Sequence, residues 1–356
     1  MHGIGLGETL FGNNGFFMNV IRAGWFALTD YLSAHVITCL VPAFFIAGAI
    51  TILISQDKVL KYFGEQTKKV VSYTIASISG AILAVCSCTV LPLFSGIYKR
   101  GAGIGPAIAF LYSGPAINIL AITYTAKLLG LDIGVSRAVG AILFSVVIGL
   151  IMALIFPAHR EENRAMFTSS FEVKSKRSEV VNILFFVFLV LVLIFASSKH
   201  WVLLGISLLV VIGITVRYIR KDEFKLWMKS TWDFFLQIFP LLLLGVFIAG
   251  IIKFFVPPEF IARWVGSNTV SANLIASVIG AFSYFATLTE VPIVKALMDL
   301  GMSKGPALAL LLAGPSLSLP NMIVISRIMG LKKATVYIGL VVVMASTTGL
   351  IVGRFI

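Results

Sequence analysis

Ten stretches of this chain carry no charged side chain: residues 31–56, 70–98, 101–126, 138–158, 180–198, 201–216, 234–252, 264–289, 305–326 and 334–353. Most reach the ~20 residues that a helix needs to cross the hydrocarbon core of a bilayer. Hydrophobic residues make up 59% of the chain against 12% charged, and the mean hydropathy is +1.02, far beyond the apolar fraction of a soluble domain. The longest polar intervals, 159–179 and 217–233, are too short to hold a soluble domain of ordinary size. The fold class expected is therefore all-α and polytopic, integral to a membrane.

The formal charge of +13 does not imply nucleic acid as a partner, because no soluble module carries interleaved basic and aromatic residues. Basic loops on one side of a membrane explain it more simply. Residues 1–15 lack a basic segment followed by an apolar core, so no cleaved signal is expected. The three cysteines, Cys39, Cys86 and Cys88, all lie in apolar runs and do not form a disulfide framework.

The two halves repeat each other at an offset of 200 residues. Gly80-Ala81 answers Gly280-Ala281, Pro92 answers Pro292, and Gly101 answers Gly301. Further on, Gly105-Pro106-Ala107 answers Gly305-Pro306-Ala307, Gly114-Pro115 answers Gly314-Pro315, and Gly130-Leu131 answers Gly330-Leu331. Upstream, Phe45 to Gly48 answers Phe247 to Gly250 at an offset of 202. Helix packing alone gives no reason for small residues to fall in matched pairs; duplication does. The organisation expected is a transmembrane repeat at 1–157, a cytoplasmic loop with a two-helix linker at 158–229, and a second transmembrane repeat at 230–356.

Lysine and arginine positions discriminate between topologies. If all ten apolar runs cross, basic residues divide about 12 against 16 between the two faces, which orients nothing. If 69–100 and 268–304 are instead re-entrant hairpins, the division becomes 19 against 9. Lys61 and Arg100 then share the cytoplasmic face. Eight spans plus two hairpins are expected on this count, with ten spans as the alternative. Each half then crosses three times, so the halves are inverted, as in many secondary transporters.

Two helix breaks per half are expected at membrane depth, where irregular backbone survives only if buried in protein or lining a cavity. The first half has C-S-C-T-V-L-P, containing Cys86, Ser87, Cys88, Thr89 and Pro92, and then S-G-P-A-I-N, containing Ser113, Gly114, Pro115 and Asn118. The second half has T-L-T-E-V-P, with Thr287, Thr289, Glu290 and Pro292. It continues with A-G-P-S-L-S, with Gly314, Pro315, Ser316 and Ser318, followed by Asn321. Proline removes a backbone donor at each break, and the neighbouring hydroxyl and amide side chains can satisfy the freed groups. These side chains are substrate-binding candidates, with helix packing as the competing role.

Thiolates select soft, thiophilic partners, and an i, i+2 pair in irregular backbone can converge on one atom. Cys86 and Cys88 are therefore ligand candidates, Cys39 is a candidate third thiol, and a small buried hydrophobe is the alternative role for all three. Glu290 is the only carboxylate within 264–294. A carboxylate at that depth is a candidate for proton coupling, with a structural partnership to Lys295 or a helix terminus as the alternative. No cofactor or metal is implied: His2, His35, His159 and His200 are scattered, and the P-loop and hydrolase motifs are absent.

The stretch from Cys86 to Asn118 resembles the signature of the predicted-permease family that includes organoarsenical efflux permeases (DUF318, ArsP-like). The T-E-V-P and L-L-A-G-P-S-L-S-L-P-N segments, up to Asn321, are similar to that family's later motif. The resemblance implies export of small thiophilic compounds, trivalent organoarsenicals among them, across a bacterial inner membrane, with Cys86 and Cys88 as the motif's cysteines.

Two functions of different class fit the residues. One is a secondary-type permease that binds cargo between two hairpin tips. The other is a membrane thiol oxidoreductase cycling Cys86 and Cys88. A redox pair is needed once and gives no reason to duplicate the scaffold around Ala286 and Leu288, so the repeat favours a permease over an enzyme. The partners expected are the lipid bilayer and a small-molecule substrate, with a homo-oligomer open as an alternative to a monomer.

Overall fold

The structure is a computed structural model, described over residues 13–33, 36, 40–53, 63, 68–83, 87–157, 179–255, 264–283 and 290–356. Among the described residues there are fifteen helices and no strand. In order they are α1 (Asn13–Tyr31), α2 (Val41–Leu53), α3 (Lys69–Leu83), α4 (Ser87–Lys99), α5 (Ile104–Ala116), α6 (Ile119–Leu129) and α7 (Leu131–Ile155). Then follow α8 (Glu179–Ser197), α9 (Trp201–Tyr218) and α10 (Lys221–Phe255). The chain closes with α11 (Val270–Phe282), α12 (Glu290–Asp299), α13 (Lys304–Leu317), α14 (Leu319–Met329) and α15 (Leu331–Val352).

Five of these, α7 to α10 and α15, are long and apolar enough to cross a membrane singly. The number rises to seven if α5 with α6 and α13 with α14, bent by 47° and 48°, each count as one broken span. At 13 residues, α2 and α11 rise only about 20 Å, short of the ~30 Å hydrocarbon core. α10 runs unbroken through residues 229 and 230, where the linker was expected to give way to the second repeat.

At the centre stand α5, every residue of which is buried, and α13, buried from Gly305 to Leu317. Their sequences are apolar all round and rich in glycine and alanine, which suits helices that are packed on every side. They meet where the Tyr112 hydroxyl donates to the Leu312 carbonyl at 3.1 Å, between positions 200 apart.

Around this crossing the packing recurs at the offset seen in the sequence. α3 and α7 flank α5, and α11 and α15 flank α13. Ser77 and Ser145 hydroxyls bond at 3.0 Å, and Ser277 and Ser346 at 2.9 Å. A Cβ added at Gly149 would lie 2.6 Å from the Gly105 carbonyl, and one at Gly349 would lie 2.6 Å from the Gly305 carbonyl, so only glycine permits these approaches. The backbone repeats as well: Gly101 and Gly301, with φ of 91° and 108°, each turn the chain in a conformation that favours glycine.

The beginning of each α3–α4 or α11–α12 pair lies beside its end. Gly103 N–H donates to the Phe63 carbonyl at 2.9 Å, and Ser303 N–H donates to the Val265 carbonyl at 3.1 Å. The halves differ in where α2 and its counterpart in α10 pack. α2 packs along α4, with Gly96 against the Ala47 carbonyl, whereas α10 packs along α14, with Gly245 against Pro320.

Candidate functional site

Helix α7 sets the geometry. Its inward face runs Ile133, Gly134, Arg137, Gly140, Ala141, Phe144, Ser145 and Ile148, the spacing of one helical stripe, so Arg137 is carried into the core with its apolar neighbours. The side chain is 0% exposed. Its Nη1 donates to Thr125 Oγ1 of α6 at 2.9 Å, and its Nη2 donates to Glu290 Oε2 at 3.1 Å. Glu290 is the first residue of α12, where unpaired backbone N–H groups favour a negative charge, and its side chain is only 2% exposed.

The breaks supply the rest. Gly314, at the end of α13, clears the approach, since a Cβ there would sit 2.9 Å from Glu290 Oε1. Ser318 alone separates α13 from α14 and adopts φ of +25°, a strained value for a side-chain-bearing residue. Tyr112 lies within electrostatic reach of both Arg137 and Glu290, and its hydroxyl stands next to Ser316. Several buried polar atoms have no protein hydrogen-bond partner: Arg137 Nε, Glu290 Oε1, Ser318 Oγ, Asn321 Oδ1 and the Tyr337 hydroxyl. Unspent donors and acceptors on residues 0–3% exposed are costly in a scaffold and useful in a binding site.

Glu290 falls in this cluster as the sequence suggested, but with a different partner. The alternative pairing with Lys295 is overturned: Lys295 is exposed and bonds Asp299 at 2.7 Å. On a helix, positions five apart are turned by about 140°, so Glu290 and Lys295 face different ways. Arg137 and Thr125 did not stand out in the sequence. Arg137 borders the charge-free run 138–158, and buried apolar residues flank it at helical spacing on both sides.

Of the remaining candidates, Ser316, Ser318, Asn321 and Thr89 are buried. Ser113 spends its hydroxyl on the Phe110 carbonyl, and Asn118 Oδ1 accepts from Ala121 N–H, capping α6. Pro92, Pro115, Pro292 and Pro315 lie inside α4, α5, α12 and α13, and the two described bends, α5 to α6 and α13 to α14, follow Pro115 and Pro315 and do not fall at them. Cys39, Cys86, Thr287 and Thr289 lie outside the described residues, and of Ser87 and Cys88 only the backbone, which opens α4, is described. Among the described residues no three His, Cys, Asp or Glu side chains come together to hold a metal.

Residues 22–354 match a family described as predicted permease, of ArsP type. The chain belongs to the predicted-permease family. It is 48% identical over 355 residues to a UPF0718 protein of Methanocaldococcus jannaschii, covering 95% of this chain and 97% of the relative. It is 23% identical over 333 residues to the UPF0718 protein YraQ of Escherichia coli, covering 92% and 80%. No solved structure matches. Family membership and the apolar helices together make this permease a multi-pass membrane protein of the transporter class.

Proposed function

We propose that this permease is a secondary-type transporter that moves a small thiophilic solute, organoarsenical-like, by alternating access between two inverted halves. The buried Arg137–Glu290 pair carries the reading: it joins α7 of the first half to the start of α12 in the second, beside Gly314 of α13. An ionisable pair at that depth belongs to a substrate or proton pathway by default.

Contacts at the helix ends support inversion. α5 starts beside the end of α7, Gly105 against Gly149, while α7 starts beside the start of α13, Asp132 bonding Lys304 at 2.7 Å. α5 and α13 therefore start from opposite ends. Lys333, at the start of α15, bonds the Tyr98 hydroxyl near the end of α4, which agrees with that arrangement. On this reading α3–α4 and α11–α12 are hairpins entering from opposite faces. With Arg137 removed from the loops, the basic bias becomes 19 against 8, and the richer face is cytoplasmic. The membrane is the bacterial inner membrane or its archaeal equivalent.

Single cysteines at Lys69 and Lys99 should react with an impermeant maleimide from one face, and those at Ser267 and Leu300 from the other, in a background lacking Cys39, Cys86 and Cys88. Reaction of Lys69 and Lys99 from opposite faces would leave ten spans as the better topology.

The cargo reading rests on the C-S-C motif. In sealed vesicles given a panel of thiophiles with and without a proton gradient, Cys86→Ser and Cys88→Ser should each reduce transport to the rate of empty vesicles. A hydroxyl is close in shape to a thiol but is a hard, protonated group at neutral pH. Parental rates in both variants would assign the cysteines to packing.

A further inference from the structure

We propose that Arg137 and Glu290 form a site that takes one proton and one small monovalent oxyanion together, the proton on Glu290 and the anion on Arg137. The proposal rests on the permease reading for its place in a transport cycle, but not on the cysteines.

Arginine is cationic at every accessible pH, so a fully buried guanidinium needs a negative partner in every state of the protein. Among the described residues Glu290 supplies that charge, and it does so through one oxygen only. The Nε and Nη2 donors lie on one edge of the guanidinium, which matches the two oxygens of a carboxylate-like group. Glu290 Oε2 takes Nη2, while Nε and Glu290 Oε1 are buried without partners. Half of a two-donor edge is thus unused, and beside it stands a carboxylate oxygen able to accept a proton.

Among the described residues the ionisable groups facing Glu290 are Arg137 from α7 and Tyr112 from α5, with Tyr337 of α15 next to Tyr112. α6 contributes Thr125, and α13 contributes Gly314 and Ser316, none of which carries charge. The charge balance of the cluster therefore lies with the ion pair and whatever joins it. A proton alone would leave Arg137 bare in the core. An anion alone would set two negative charges against one positive charge. Both are penalised by burial, whereas proton and anion together restore neutrality, so each favours the other. When both bind, the Nη2···Oε2 contact gives way, the anion spans Nε and Nη2, and the neutral carboxyl can donate a hydrogen bond. Transport through such a site moves one proton with each anion and no net charge.

The test uses the purified full chain in detergent at neutral pH and low buffer strength. Sodium acetate, methanesulfonate and nitrate serve as probes, with chloride as a spherical control. Melting temperature reports binding, and a pH-sensitive dye reports proton uptake. At least one oxyanion should raise the melting temperature and draw in one proton per anion bound, while chloride does neither. Glu290→Gln should keep the anion response and lose the proton. The double replacement Arg137→Gln with Glu290→Gln leaves no buried charge unpaired, so it should fold and lose both responses. Anion binding without proton uptake in the parent, or anion binding that survives the double replacement, would overturn the site. So would the absence of any anion response in protein that still transports thiophiles in vesicles. Intact anion and proton responses in protein that transports nothing would instead overturn the permease reading and leave the site standing.

Discussion

Arg137→Gln should destabilise the protein by about 3–5 kcal/mol, the usual cost of removing one partner from a buried ion pair. The side chains are 0% and 2% exposed, so water cannot rescue the carboxylate left behind. The lost Thr125 contact adds to this, since Arg137 Nη1 donates to its hydroxyl. Combining Arg137→Gln with Glu290→Gln should recover most of the loss, because neutral amides carry no desolvation penalty of that size and can bond one another. A double-mutant cycle, read from denaturant titration of the detergent-solubilised protein, should give a coupling above about 2 kcal/mol. Additive single effects would mean that the two residues do not act as a pair. The double variant should fold yet lose acceleration by a proton gradient, which separates the stabilising role of the pair from its role in transport.

A disulfide between Gly245→Cys and Pro320→Cys should stop transport outright, and reduction should restore it. A Cβ at Gly245 would stand 2.5 Å from Pro320 Cα and 2.9 Å from its Cβ, so α10 and α14 must separate by about 1 Å at this point before the bridge closes. α2 packs along α4, but its repeat counterpart in α10 packs along α14. If the halves are an inverted repeat, as proposed above, the second state of the cycle is reached when they exchange arrangements. α10 must then leave α14 and approach α12, while α2 leaves α4 for α6. Cysteines at positions 43 and 120, the repeat counterparts of 245 and 320, should accordingly cross-link in that second state and also block transport. Full transport with the 245–320 bridge closed would show that α10 and α14 move as one body, and would exclude this exchange.

Much of the architecture was legible because it depends on local pattern. Charge-free runs of bilayer length mark a membrane protein wherever they occur, and the glycine and proline pairs expose the duplication without any knowledge of packing. The breaks were legible in place but not in detail. Pro292 lies in the first turn of α12, where no intrahelical donor is required of it, so the helix begins before the proline. Ser113 and Asn118 are polar and deep, and the tertiary structure adds that each side chain also bonds nearby backbone, which sequence alone does not show.

The sequence by itself determined that this chain is helical, membrane-embedded, patterned with glycine and proline pairs 200 residues apart, and kinked near Gly114-Pro115 and Gly314-Pro315, since each property follows from residue type and spacing. Only the tertiary structure decided what Glu290 meets. Its partner, Arg137, is 153 positions away on a helix of the other repeat, while the nearer cation, Lys295, is turned outward to Asp299. A partnership between distant helices depends on how close they pack, here through glycines such as Gly140 against Leu312 and Gly314 against Glu290, and that closeness is a property of the assembled bundle and not of either segment.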